Sequence, residues 1–307
     1  MKKRIQNRLA ESRFAFPVMI IYGLALWLGA GTVAEGAYLQ LAFFVASTLL
    51  MMMLNNTNSL IRIYSRMVSC SFVAMTCAAT FLFSSLESCA TGMCFILFYL
   101  SLLRSYQDKR APGIAFYSFA CLGIASLFFV QILYFVPFLW ILMASNMMAL
   151  THRMFWATVL GLVMPYWFAV GYYVVTNQFD AFIDHFAELA QFDPLLQYEA
   201  LDIHRIATFG LVVLLAVIGI IHYMRNSYQD KIRTRMIFEM FITVDILSFV
   251  FIILQPQHFD NLLPIIIVNT SCLFAHYVAL TRTLLTNVTF IVMCLATLGL
   301  TIFNLMP

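Results

Sequence analysis

Residues 236–254 read MIFEMFITVDILSFVFIIL, an apolar stretch in which Glu239 and Asp245 are the only charged side chains. A helix needs about 20 residues to cross the hydrocarbon core of a bilayer, so this stretch is long enough. Every backbone N–H and C=O in that core has to be bonded within the protein, and the stretch lacks the strict alternation of a barrel strand. It therefore predicts a transmembrane helix.

Runs of the same kind recur along the whole chain. Hydrophobic residues make up 63% of the 307 positions and charged residues only 10%, which excludes an ordinary water-soluble protein. We expect one integral membrane domain over residues 1–307. The apolar runs lie at about 14–33, 37–54, 67–86, 90–106, 112–129, 131–149, 154–175, 206–224, 236–254, 261–280 and 284–304. The predicted fold is all-α: a polytopic transmembrane helix bundle of about 11 spans.

Two of these runs, 112–129 and 131–149, almost touch in the sequence. They predict either two full spans or a re-entrant hairpin, and the second alternative lowers the count by up to two. The sequence leaves both open.

The basic residues indicate the orientation. Of the 17 Lys and Arg residues, 16 fall at the N-terminus or in every second connection, and Arg205 is the exception. The intervening connections hold most of the acidic residues. Because short cytoplasmic loops retain positive charge, the pattern predicts the N-terminus inside and the C-terminus outside, in a bacterial cytoplasmic membrane. The net charge of +3 is too small to suggest nucleic acid as a partner.

The one long connection outside the membrane spans residues 176–205, TNQFDAFIDHFAELAQFDPLLQYEALDIHR. Its apolar residues repeat at helical spacing while Asp184 and Glu188 fall on the opposite face, which predicts an external amphipathic helix ending at Asp193-Pro194. One interpretation is an interfacial helix whose acidic side chains simply face water. The other is that these carboxylates line an external cavity, where they act as a general base or hold a divalent cation.

His204 and Arg205 follow in the same connection. A guanidinium binds phosphate in a fork and an imidazole exchanges protons near neutral pH, so the pair suits an anionic head group. Asp184, Glu188, His204 and Arg205 are accordingly the candidate catalytic residues. The alternative is an interfacial anchor, or a salt bridge from Arg205 to Asp202. No cofactor is predicted besides the possible divalent cation.

A second group of polar residues lies within the apolar runs. Asp245 falls near the middle of its helix, where a carboxylate is expected to face a partner or a wet cavity. If the next helix packs antiparallel, Asn269 reaches the depth of Asp245, and Glu239 and His276 both lie near the inner surface. The expected pairs are Asp245 with Asn269 and Glu239 with His276. They serve either as hydrogen bonds that hold helices together or as a proton relay.

Two segments carry a resemblance to a known family: FVPFLWILMASNMMALTHRMFWATVLGLVMPYWFAVGYYVVTN at 135–177 and LLPIIIVNTSCLFAHYVALTR at 262–282. From about residue 97 to 304 the chain resembles an uncharacterised family of multi-pass inner-membrane proteins of the Bacteroides phylum. The resemblance implies the fold and supplies no catalytic residues.

In its plan the chain is also faintly similar to polytopic enzymes that use polyprenyl-phosphate-linked sugars. The glycosyltransferases of that group carry an acidic motif in a substantial first external loop, whereas here the loop is little more than AEGA with Glu35. The similarity implies a role in cell-envelope biogenesis, with membrane lipid and a polyprenyl-phosphate lipid as partners at the outer leaflet. Two alternatives are a proton-coupled transporter or permease that uses Asp245 and His276, and a non-catalytic membrane subunit of a larger assembly.

Overall fold

The structure, a computed structural model, describes residues 4–191 and 201–306. These residues form α-helices joined by turns and short 3-10 segments, and the all-α prediction is confirmed. The helices of the described part are α1 (Ile5–Ala10), α2 (Ala15–Gly29), α3 (Tyr38–Asn58), α4 (Met67–Ala78), α5 (Leu86–Leu102), α6 (Pro112–Phe128), α7 (Val136–Ser145), α8 (His152–Val175), α9 (Phe179–Ala187), α10 (Ile203–Asn226), α11 (Ile232–Leu254), α12 (Phe259–Leu280) and α13 (Leu284–Leu305).

Seven of the described helices are long and apolar enough to cross a membrane: α3, α5 with the 3-10 turn that extends it to Ser105, α8, α10, α11, α12 and α13. The chain is therefore a multi-pass membrane protein. Four shorter apolar helices, α2, α4, α6 and the segment Val130–Ser145 that contains α7, coincide with the remaining predicted runs. A helix of 15 residues is about 22 Å long, which is less than the full hydrocarbon thickness. The count of 11 spans stays a prediction.

The region 112–149 forms a helical hairpin. α6 ends at Phe128, and a 3-10 segment, Val130–Phe135, leads into α7. The Tyr134 hydroxyl at the tip donates a hydrogen bond to the Leu189 carbonyl, and α6 packs along α5 and α8. At the open end of the hairpin, the backbone N–H of Gln107 bonds the Met147 carbonyl at 2.9 Å. The number of membrane crossings in this region stays a prediction.

α12 is the central helix of the bundle. It packs against α4, α5, α10 and α11, and its apolar core segment is wholly buried within the protein. By contrast, α8 and α13 lie at the periphery, with many of their apolar side chains exposed. Polar residues on α12 are therefore enclosed by protein and need protein partners.

Contacts between helix ends fall into two groups. Arg62 donates to Gln229 Oε1 at 2.7 Å, joining two connections that the sequence predicts to be cytoplasmic. Ser88 donates to Asn261 Oδ1 at 3.1 Å, joining two helix starts at the opposite end. We call these the basic end and the acidic end. The grouping fits the predicted alternation of loops, while the side that faces the cytoplasm stays a prediction.

The predicted amphipathic segment contains α9 and a 3-10 turn over Glu188–Ala190. Its expected end at Asp193-Pro194 lies outside the described residues, as do Lys2, Lys3 and Glu199.

Candidate functional site

The apolar face of α9 packs onto α8. Phe186 lies against Tyr166 with ring centroids 5.0 Å apart, and the His185 imidazole bonds the Ser126 carbonyl oxygen at 3.0 Å. Asp184 and Glu188 point away from this contact and are exposed. The external amphipathic segment stays a prediction.

Arg205 begins α10 and is held in an ion pair. Its Nε and Nη2 donate to the two carboxylate oxygens of Asp260 at 2.9 and 2.8 Å, and its guanidinium lies over the Phe81 ring, 5.3 Å from the centroid. A salt bridge from Arg205 to Asp202 is the alternative that the sequence leaves open. The Asp202 carboxylate instead accepts a hydrogen bond from the backbone N–H of Ile203 at 2.7 Å and caps α10. Arg205 is therefore a structural link between α10 and α12.

His204 is also held by the bundle. Its Nδ1 lies 3.0 Å from Asn304 Oδ1, and its ring stacks on Phe303 with centroids 4.5 Å apart. The Asn304 amide in turn donates to Thr208 Oγ1 at 2.8 Å and to the Ala78 carbonyl at 2.6 Å. This network joins α10, α13 and the end of α4.

The four candidate catalytic residues sit on separate supports. Asp184 and Glu188 belong to the segment that packs on α8, whereas His204 and Arg205 pack against α13 and α12. Among the described residues, no three His, Cys, Asp or Glu side chains are arranged to hold a metal ion. A shared catalytic site for these four residues therefore stays a prediction that no described contact supports.

Asp245 lies in the buried centre of the bundle, with no exposed surface. Its Oδ2 accepts a hydrogen bond from Thr270 at 3.0 Å, and Asn269 is its neighbour on α12. Asn269 Oδ1 accepts from the Tyr99 hydroxyl of α5 at 2.8 Å. Asp245 Oδ1 and the Asn269 amide nitrogen have no hydrogen-bond partner within the described residues. Asp245 and Asn269 are thus neighbours, as their similar depth on antiparallel helices predicts. Tyr99 and Thr270 are hydrogen-bond partners that sequence reasoning missed.

The expected pair of Glu239 and His276 does not form. His276 Nε2 lies 3.0 Å from Asp230 Oδ2, while Glu239 accepts from the Asn146 amide at 3.0 Å. The reason is rotational. Phe238 turns toward α12 and its ring lies 4.9 Å from that of His276, so Glu239, about 100° further round the helix, faces another helix.

Around His276 the basic end holds a polar group with a buried Asp230–His276 pair at its centre, which we call the Asp230 cluster: Arg62, His222, Asp230 and His276. The Asp230 and His276 side chains are 3% and 1% exposed, and Arg62 Nη1 lies 3.9 Å from Asp230 Oδ1. The His222 and His276 rings are 5.5 Å apart. The cluster joins the connections after α3 and α10 to the central helix.

A groove of about 360 Å³ runs between α2 and α13. Both helices pack against α4, whose small residues Ser71 and Ala74 form part of its lining. Val18 and Leu298 also line it and are exposed on the outside of the bundle. The groove is therefore apolar and open to the surrounding lipid, and its volume falls within the range of ligand sites.

The two ends of the groove differ. At one end the Tyr22 hydroxyl donates to Thr301 Oγ1 at 3.4 Å and links α2 to α13. At the other end Ser12 and Cys70 line the groove beside the basic connections. Sequence reasoning missed this feature because its lining comes mainly from α2, α4 and α13, with single residues of α1, α10 and α12, and these helices are far apart in the chain.

No family model, curated protein or solved structure matches this chain. Of the resemblance described above, only the general class, a multi-pass helical membrane protein, is supported by the structure.

Proposed function

We propose that this membrane protein binds a lipid-linked substrate of the polyprenyl-phosphate class and acts in cell-envelope biogenesis. The observation that carries the proposal is the groove between α2, α4 and α13. It is apolar, lining residues such as Val18 and Leu298 are exposed on the outside of the bundle, and one end reaches the basic connections. A long hydrocarbon chain fits such a site, with its polar end at the surface.

The groove also changes the expected position of the site. The sequence predicts binding at the outer leaflet near His204 and Arg205, but both side chains are engaged in structural contacts. Ser12 and Met67 line the groove and adjoin segments rich in Arg. By the distribution of positive charge, the groove lies in the cytoplasmic half of the bilayer.

The test is mass spectrometry of lipids that stay bound to the gently purified protein. Ala74→Phe places a large ring in the groove, and Val18→Trp covers its rim. Ala296→Phe is the matched control, because Ala296 is exposed on α13 and does not line the groove. We expect a polyprenyl-phosphate lipid, enriched over bulk membrane, with wild type and Ala296→Phe, and several-fold less with either groove variant.

Two results would contradict the proposal. One is that wild type carries only bulk phospholipids. The other is that both groove variants, folded by the criterion of an unchanged melting temperature, carry as much polyprenyl lipid as wild type.

A second candidate function is proton-coupled transport through Asp245 and His276. It is favoured by the fully buried Asp245 carboxyl, whose Oδ1 lacks a described partner, because ionisable residues inside a membrane are rare and often belong to ion pathways or proton relays. Asp245→Asn keeps the size and an oxygen acceptor for Thr270 but cannot carry a proton. Unchanged proton-coupled uptake in vesicles with this variant would rule the transporter out. A non-catalytic subunit, the third alternative, would tolerate this change and the groove variants.

A further inference from the structure

We propose that the groove selects an anionic amphiphile, with Arg13 and Arg66 binding the phosphate of the lipid whose chain lies between α2 and α13. The inference rests on the proposed function for the identity of the lipid's hydrocarbon chain. It adds the head-group site and the leaflet from which the lipid enters.

Arg66 lies where the groove meets the basic end. It directly precedes Met67, which lines the groove, and its charge acts on the thiol of Cys70, another lining residue. Its side chain is held in place: Nη1 donates to Asn56 Oδ1 at 3.1 Å and Nε to the Tyr64 hydroxyl at 3.3 Å. These partners are neutral, so they position the guanidinium without neutralising it.

Arg13 approaches from α2's side of the groove. It stands between Ser12 and Phe14, which both line the groove, and its side chain is exposed with no hydrogen bond or ion pair to the described residues. Arg13 and Tyr64 line one open recess of about 690 Å³ together with Ile63 and Glu11.

Arg13 lines the recess directly, and Arg66 is next to it through Tyr64. Tyr64 connects them, since it lines the recess with Arg13 and lies beneath the Arg66 guanidinium, 5.2 Å from its centre. Glu11 contributes one carboxylate, so the charge around the recess stays positive. Such a setting favours a phosphate, which guanidinium groups bind through charge-assisted, often paired hydrogen bonds.

The selectivity for one amphiphile over another must arise at the head-group end of the groove. Lipid tails are as apolar as the groove, so moving a chain from the bilayer into the groove gains little from the hydrophobic effect. Discrimination among amphiphiles must come from the head group, and each Arg near an anionic membrane surface strengthens binding by about fivefold. Because both arginines lie at the basic end, the lipid enters from the cytoplasmic leaflet, before any step that moves it across the membrane.

The experiment measures binding of two probes to the purified full chain in nanodiscs of neutral lipid: a long-chain polyprenyl phosphate and the polyprenol of the same chain length. The variants are Arg13→Gln, Arg66→Gln and the pair together. Arg8→Gln is the matched control, because Arg8 is exposed in the same segment and lines neither the groove nor the recess.

We expect wild type and Arg8→Gln to bind the phosphate at least tenfold more tightly than the polyprenol, and each recess variant to lose about fivefold for the phosphate alone. The preference should also weaken as salt is added. Equal binding of phosphate and polyprenol, abolished for both by Ala74→Phe, would overturn the head-group inference and leave the proposed function standing.

If neither probe binds, the proposed function fails and the head-group inference is tested with phospholipids. Vesicles of phosphatidylglycerol and of phosphatidylcholine are then compared. A preference for the anionic lipid that is lost in the double variant supports an arginine head-group site for another lipid. No preference overturns it.

Discussion

The Arg205 guanidinium binds the Asp260 carboxylate at both oxygens, with N–O distances of 2.9 and 2.8 Å. The two residues lie at the starts of α10 and α12, so this pair fixes the acidic ends of two adjacent helices. Both side chains are about a third exposed, at 31% and 37%. The only basic residue of the predicted external connections is thus used to hold helices together.

Removing this ion pair should lower stability modestly. We expect Arg205→Ala and Asp260→Ala to reduce the free energy of unfolding by similar amounts, and the double variant to show a coupling of about 0.5–1 kcal/mol, because partly exposed pairs are screened by solvent. Unfolding in mixed micelles measures the cycle. Arg205→Lys is the control that retains the charge and loses the two-point geometry. A coupling of zero would show that the pair has no structural role.

The buried pair in the Asp230 cluster should matter more. Asp230→Ala leaves the His276 Nε2 without its partner at a site with almost no solvent, and an unsatisfied buried polar group costs about 1–3 kcal/mol. Asp180→Ala removes an exposed acidic side chain and should change stability by less than about 0.5 kcal/mol. Melting temperatures of the detergent-solubilised variants distinguish the two. Equal values for both would mean that His276 finds another partner.

The sequence predicts most of the helices because an apolar run of membrane length has one structural solution. It also predicts that Asp245 and Asn269 meet, since counting residues from the membrane surface gives the depth of each side chain on antiparallel helices. Depth does not give the direction in which a side chain points. That is why Glu239, at a depth suited to His276, faces Asn146 instead.

The partner of Arg205 illustrates a second limit. Asp202 is three residues away and Asp260 is 55, yet the distant carboxylate forms the pair because the packing of α10 on α12 brings it within reach. Asp202 is used instead to cap the first turn of α10. The groove shows the same limit for a cavity. Its lining comes mainly from α2, α4 and α13, with single residues of α1, α10 and α12, and no local pattern marks residues that line a shared space.

Reporter fusions test the orientation. Alkaline phosphatase is active only outside the cytoplasm, so a fusion after Gln191 should be active and one after Lys109 inactive. Both positions lie in connections between helices, and the positive charges near Lys109 favour the cytoplasm. Activity at Lys109 with none at Gln191 would mean that the protein has the opposite orientation and that the groove lies in the outer half of the bilayer. Equal activity at both would contradict the predicted alternation of spans.

Close packing of α6 on α8 gives the sharpest stability test. A Cβ added at Gly161 would lie 2.3 Å from the Phe116 carbonyl oxygen, whereas at Gly171 of the same helix nothing lies within 4 Å. Small residues let transmembrane helices approach at such crossings. Gly161→Ala should therefore force the helices apart and cost about 1–3 kcal/mol, while Gly171→Ala should be neutral or stabilising by up to about 1 kcal/mol.

Gly123 extends the same test to the facing helix, because a Cβ there would lie 2.6 Å from the Leu162 carbonyl oxygen. Gly123→Ala alone should cost about as much as Gly161→Ala. The double variant should cost less than the sum, since one outward shift of α8 relieves both contacts. Unfolding in mixed micelles measures all four proteins against wild type. If Gly161→Ala were as stable as Gly171→Ala, α6 and α8 would not pack at this distance in the membrane.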